Sequence, residues 1–127
     1  MNPNDQLHQQ LRAHVTGLTS PAAAVDLLIA HRTWLHRNDF LERFTFTSTD
    51  FDTQTTHTGI QWAEAINALG HNLACSGGEA RLLRIAASLA KGIPVDLHDA
   101  MTGLDHTNTT LVAHAITQAA GHRTLPK

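Results

Sequence analysis

Ser76-Gly77-Gly78-Glu79-Ala80-Arg81-Leu82-Leu83-Arg84-Ile85-Ala86-Ala87-Ser88-Leu89-Ala90-Lys91-Gly92-Ile93-Pro94 is the stretch on which the fold turns. Ser76 with Glu79 three residues on is a capping box, in which each side chain satisfies an amide that the helix start leaves open. Glu79 stands at the positive end of the helix and Lys91 at the negative end, so both oppose the macrodipole. Between them Leu82, Leu83, Ile85, Ala86, Ala87, Leu89 and Ala90 leave little polar surface. A helix that is apolar on most sides has to be buried on most sides. The stretch predicts a central helix over 79–91, ended by Gly92 and kept from resuming by Pro94.

Working outward, the same local signals recur. Asp96 caps a short helix through Met101 that halts at Gly103. Asp105 or Thr107 opens the last helix, with Leu111, Val112, Ala115, Ile116 and Ala119 as its buried stripe and Gly121 as its end. Residues 122–127 read as a loose tail. On the other side, Thr58-Gly59-Ile60-Gln61 has the form of a second capping box, leading into Trp62, Ile66 and Leu69 and a stop at Gly70. Ser20-Pro21 starts a helix over Ala22 to His36, with Val25, Leu28, Ile29 and Leu35 on one face and Trp34 one residue off it. Asp39 caps a short helix from Phe40 to Phe44. Near the N-terminus Asn4 or Asp5 caps a helix with Leu7, Leu11, Val15 and Leu18 in register, weakened at Gly17.

Residues 45–58 break the pattern. They hold seven threonines and no aliphatic residue, and β-branched threonine suits extended chain better than a helix interior. Phe44-Thr45-Phe46-Thr47 alternates as a half-buried strand would. The one other weak strand candidate is Ile93-Pro94-Val95, so the segment is expected to be a surface excursion with at most a small strand pair. The fold class is therefore all-α: a compact bundle of five to seven short helices around the 79–91 helix, in one domain over 1–127.

Composition bounds the function classes. The chain has 127 residues, of which 42% are apolar and 16% charged, with a formal net charge of -2. That is enough apolar chain for one core. A single cysteine, Cys75, excludes an intrachain disulfide. No apolar run approaches the roughly 20 residues needed to cross a bilayer. Met1-Asn2-Pro3-Asn4-Asp5 lacks the basic start and apolar stretch of a signal peptide. The expectation is a cytoplasmic protein with no membrane partner. Seven arginines against two lysines, with abundant alanine, fit a GC-rich genome. The segment Cys75 to Ala90, with Pro94-Val95-Asp96-Leu97 and Gly103-Leu104-Asp105, resembles small uncharacterised proteins of high-GC actinobacteria over roughly the C-terminal 50 residues. The resemblance implies a bacterial, cytosolic origin and carries no activity and no catalytic residue.

Candidate chemistry is sparse. His31 and His36 are five apart, which misses a shared helix face. His71 and Cys75 fall between helices. In the group Asp96, His98, Asp99, Asp105 and His106, the aspartates at 96 and 105 read better as caps. No metal site and no cofactor is expected. Cys75 precedes a helix N-terminus, a position that can lower a thiol pKa, but no base is placed beside it. Asp50-Phe51-Asp52 is a carboxylate pair in a polar loop. A small metal-dependent or thiol enzyme is thus the weakest of three readings.

Nucleic-acid binding is the next. Arg32, Arg37 and Arg43 surround Trp34, the combination that stacking and phosphate contact require. Asp39 and Glu42 reduce that segment to about +1, and affinity for a polyanion comes from many cations together. Residues 96–120 could mimic a helix-turn-helix, yet their second helix holds neither Lys nor Arg. The favoured reading is a non-enzymatic binding or regulatory module acting through protein contacts, with a protein partner or a second copy of itself. Its apolar patch would combine Trp34 with the Phe40, Phe44, Phe46 and Phe51 cluster and the threonine-rich segment; the candidate binding residues of the two readings together are Trp34, Arg32, Arg37, Arg43, Phe46 and Phe51. The ten histidines are scattered and form no ligand set. They predict sensitivity to acid between about pH 7 and pH 5, wherever several are buried neutral.

Overall fold

The computed structural model describes residues 3–122. Among them are seven α-helices, one 3-10 turn and one two-stranded sheet. In chain order they are α1 (Pro3–His14), α2 (Thr19–His31), the 3-10 turn Trp34–His36, α3 (Asn38–Phe44), β1 (Thr45–Thr49), β2 (Thr56–Ile60), α4 (Trp62–Ala68), α5 (Gly77–Lys91), α6 (Leu97–Met101) and α7 (His106–Ala119). No described helix is long and apolar enough to cross a membrane. The tail read over 122–127 lies outside the described residues from 123 on.

Helix α5 forms where its signals place it. Ser76 Oγ accepts from Glu79 N at 3.2 Å, and Glu79 Oε1 accepts from Ser76 N at 2.7 Å. Gly92 ends the helix in the left-handed region at φ 70°. Leu82, Leu83, Ile85, Ala86 and Ala87 are buried, and from 79 to 90 Arg84 alone is exposed. Helices α2, α4, α6 and α7 pack around it. Helix α2 shares the centre, with Ala23, Ala24, Val25, Leu27 and Leu28 buried against α5 and α7. Asp96 and Asp105 cap α6 and α7 through the amides of Asp99 and Asn108.

The chain is mostly helical but not purely so. Residues 45–60 form an antiparallel hairpin, with Thr45 opposite Ile60, Thr47 opposite Thr58 and Thr49 opposite Thr56. The partner of β1 thus comes from the same threonine-rich stretch rather than from Ile93-Pro94-Val95. Asp50 shapes the turn, its Oδ1 accepting from Asp52 N at 2.8 Å. Thr58 therefore caps nothing. It sits in β2, buried, and its hydroxyl donates to Gln10 Oε1 at 2.9 Å, while α4 begins at Trp62 without a side-chain cap.

Helix boundaries also move: α3 already begins at Asn38, so Asp39 lies inside it rather than capping it. Helix α2 stops at His31, because Arg32 turns left-handed at φ 64°, so Trp34 belongs to a separate turn. Ser20 does not cap α2; its hydroxyl donates to Leu89 O at 2.6 Å and ties α2 to α5. Helix α1 already starts at Pro3. In α7 the buried stripe is narrower than its sequence suggests. Val112 and Ala115 are buried but Ile116 is 48% exposed, because α7 rests on α2 and α5 along one side.

Candidate functional site

The six candidate residues fall into two groups. Trp34 is fully buried, and its Nε1 donates to Glu79 O at 3.1 Å. Its ring packs on Phe40 at 5.3 Å. The Arg37 guanidinium lies over that ring at 4.9 Å, donates to both carboxylate oxygens of Asp39, and reaches Ala74 O at 2.6 Å. The Arg37–Asp39 bond is the main reason the Asp39 carboxyl lies below its ordinary pKa. Arg43 donates to Asn72 O and Asn72 Oδ1 at 2.9 and 2.8 Å and covers Phe44. Arg37 and Arg43 are straps between α3 and the 72–74 loop. Arg32 is exposed on the turn that ends α2. The structure gives Trp34 no face on which a base could stack, and it commits two of the three cations to the fold.

Phe46 and Phe51 lie on the hairpin. Phe51, in its turn, is 91% exposed. Phe46 is 39% exposed and meets His14 of α1 edge to face at 5.6 Å. His14 stacks on His57 of β2 at 4.7 Å, with the two Nδ1 atoms 2.6 Å apart. One imidazole donates to the other, so the pair needs at least one neutral ring. Burial holds the His14 pKa below its ordinary value, and His57 and Lys91 add to that. Below the rings is a cavity of about 380 Å³ whose walls include Leu11, Val15, Val25, Ile60 and Trp62.

Gly59 makes this corner possible. A Cβ there would stand 2.9 Å from His14 Nε2 and closer still to the Phe46 ring. Gly59→Ala is expected to cost about 1–2 kcal/mol as an overpacking change. In a Phe46→Ala background at least half of that cost should vanish, because the ring it strikes is gone. Urea unfolding of the four chains measures this; additive effects would contradict the contact.

Cys75 is exposed beside a second, open cavity lined by His71, Asn72 and Arg84. Partial burial and then Glu79 push its thiol pKa up, against the opposing pull of Arg37 and Arg84. No three His, Cys, Asp or Glu side chains among the described residues could hold a metal ion.

No protein family matches the chain, and no curated protein or solved structure matches it. The site must be argued from its own geometry.

That geometry singles out the hairpin. Gln10 of α1 reaches Thr58 and His14 reaches His57. Neighbouring strand residues point to opposite faces, so α1 runs along the outer edge of β2. Strand β1 has no such cover. Among the described residues it packs mainly on β2 and the preceding α3, Phe46 meets His14 of α1 on the sheet face, and four of its five residues are exposed. The sequence signal for this edge was the uncharged run between Arg43 and Asp50. Neither the His14–His57 pair, 43 residues apart, nor the cavity beneath it had any.

Proposed function

We propose that this chain is a non-enzymatic binding module that engages a protein partner through the hairpin Thr45–Ile60. The observation that carries the reading is the uncovered β1 edge. A strand edge offers a row of amides and carbonyls that another chain can pair with. Phe51 adds an exposed aromatic ring beside it, and aromatic rings are favoured anchors in protein interfaces. The His14–His57 pair on the hairpin's inner side is tied up ring to ring, whereas the outer edge presents backbone groups and Phe51, which are binding chemistry.

A photoreactive phenylalanine analogue placed at 47 or 51 in the whole chain, and at His98 on α6 as control, tests this in cells. The hairpin positions are expected to give one discrete protein adduct, and Phe51→Ala to weaken the adduct formed from 47 at least threefold. Equal labelling from His98, or no adduct from the hairpin, would overturn the reading.

A further inference from the structure

The hydrogen-bond register shows which β1 groups face outward. Asp50 N donates to Thr55 O at 2.9 Å, and Gln61 N donates to Phe44 O at 2.7 Å. These bonds mark 50 opposite 55 and 44 opposite 61 as hydrogen-bonded pairs. In an antiparallel ladder such pairs alternate with non-bonded ones. Phe46 with Gly59 and Ser48 with His57 are then the bonded pairs inside the hairpin. Thr45, Thr47 and Thr49 form the non-bonded pairs, so their backbone N–H and C=O groups point away from β2, to the uncovered edge.

Natural edge strands are usually guarded by a lysine, a proline, a bulge or a covering element. Thr45-Phe46-Thr47-Ser48-Thr49 has no charge and no proline, and its register with β2 is unbroken. It is bracketed by a cation at Arg43 and an anion at Asp50. Two copies laid antiparallel bring the Asp50 end of each beside the Arg43 end of the other. Laid parallel, they would set like charges together.

We infer that the partner of this edge is a second copy of the chain, pairing β1 antiparallel to β1 about a two-fold axis at Thr47. The inference rests on the reading of the hairpin as the binding element. In this register Thr47 faces Thr47, Thr45 faces Thr49 and Phe46 faces Ser48. The outward groups of the three threonines meet their equivalents in up to about six backbone hydrogen bonds, giving a four-stranded sheet. Thr–Thr pairs across strands are themselves favourable. The contact is isologous, so it closes as a dimer. Two five-residue strands bury less than the roughly 1,200 Å² of a stable interface, so the dimer is a transient one.

Sedimentation equilibrium of the whole chain, from about 1 μM to about 1 mM, spans the affinities that interfaces of this size reach. The expected result is a reversible monomer–dimer equilibrium. Thr47→Pro should weaken association at least tenfold and leave the helical circular dichroism intact, since an edge strand tolerates proline where its N–H faces out. Thr47→Lys and Thr47→Glu keep the backbone donor. Each alone should be monomeric, and an equimolar mixture should dimerise again, because the axis sets position 47 against itself. A wild-type monomer at the highest concentration, or a dimer indifferent to these changes, would overturn the self-pairing. If the hairpin then still cross-links to a different protein, the binding-module reading stands and self-pairing alone fails. If it cross-links to nothing, both fall.

Discussion

Trp34→Ala is expected to be the most damaging single change in the chain, costing about 3–5 kcal/mol, the range for deleting a fully buried aromatic side chain. A chain of this size is held by about 5–15 kcal/mol in all, so the melting temperature should fall by on the order of 10–20 °C. The cost has three named parts. The indole fills the core against Phe40. Its N–H bonds Glu79 O, in the first turn of α5, and so ties the 3-10 turn to the central helix. Its ring face carries the guanidinium of Arg37, which in turn holds Asp39 and the carbonyl of Ala74. Trp34→Phe separates these parts. It retains an aromatic ring and loses the hydrogen bond, and should cost about 1–2 kcal/mol. Thermal and urea unfolding of both variants decide the matter. An alanine variant within 1 kcal/mol of wild type, on the scale of surface changes, would mean that Trp34 is not the keystone its burial indicates.

Trp34 also shows where sequence reading works and where it stops. The starts of α5, α6 and α7 are legible because their causes are local. The bonds of Ser76 with Glu79, Asp96 with Asp99, and Asp105 with Asn108 each span three residues. The burial of α5 was legible because apolar side chains on nearly every side admit one outcome. Trp34 looked off-stripe because the stripe was extended through a helix that ends at His31. Its neighbours Arg37 and Arg43 looked like a basic surface because their true partners, the carbonyls of Ala74 and Asn72, lie 37 and 29 residues away.

The second strand of the hairpin escapes the sequence for a related reason. Thr58-Gly59-Ile60-Gln61 satisfies a capping pattern locally, but ladder pairing with β1 and the bond to Gln10, 48 residues away, decide its conformation. Local signals rank the options for a segment, and tertiary partners choose among them. The candidate site is built almost wholly from such distant partners. Phe46 and Phe51 were named in advance, whereas the edge beside them needed the register to become visible.

Stability is expected to fall as the pH drops from about 7.5 to about 5, well before the carboxylates titrate. Three histidines drive this. His31 is held below its ordinary pKa chiefly by burial, against the opposing pull of Glu79 and Asp105, and its buried Nδ1 has no hydrogen-bond partner among the described residues. His14 is lowered by burial, His57 and Lys91. His8 is lowered by burial and then by Arg12, with His36 and Arg32 adding to it and Asp5 opposing. In the unfolded chain each returns to about 6.5, so on acidification the unfolded state takes up protons first. Their contribution is complete above the unfolded value and is lost as the pH falls through it towards the lower folded values. The slope is bounded at about 1.4 kcal/mol per pH unit for each histidine. The carboxyl of Asp39, shifted downward by Arg37, titrates well below this window and leaves it clean. Melting temperatures at half-unit steps should decline across it, and the triple variant His8→Gln, His14→Gln, His31→Gln should flatten the decline. A wild-type profile flat from pH 7.5 to 5, or a triple variant as steep as wild type, would show that these rings are not held neutral. In His14 the same protonation reaches the site, because it puts a charge on the partly buried ring that bonds His57 of β2 and lies near Lys91. Acid should therefore loosen α1 from β2 first, and amide exchange in β2 should quicken before the core of α5 opens.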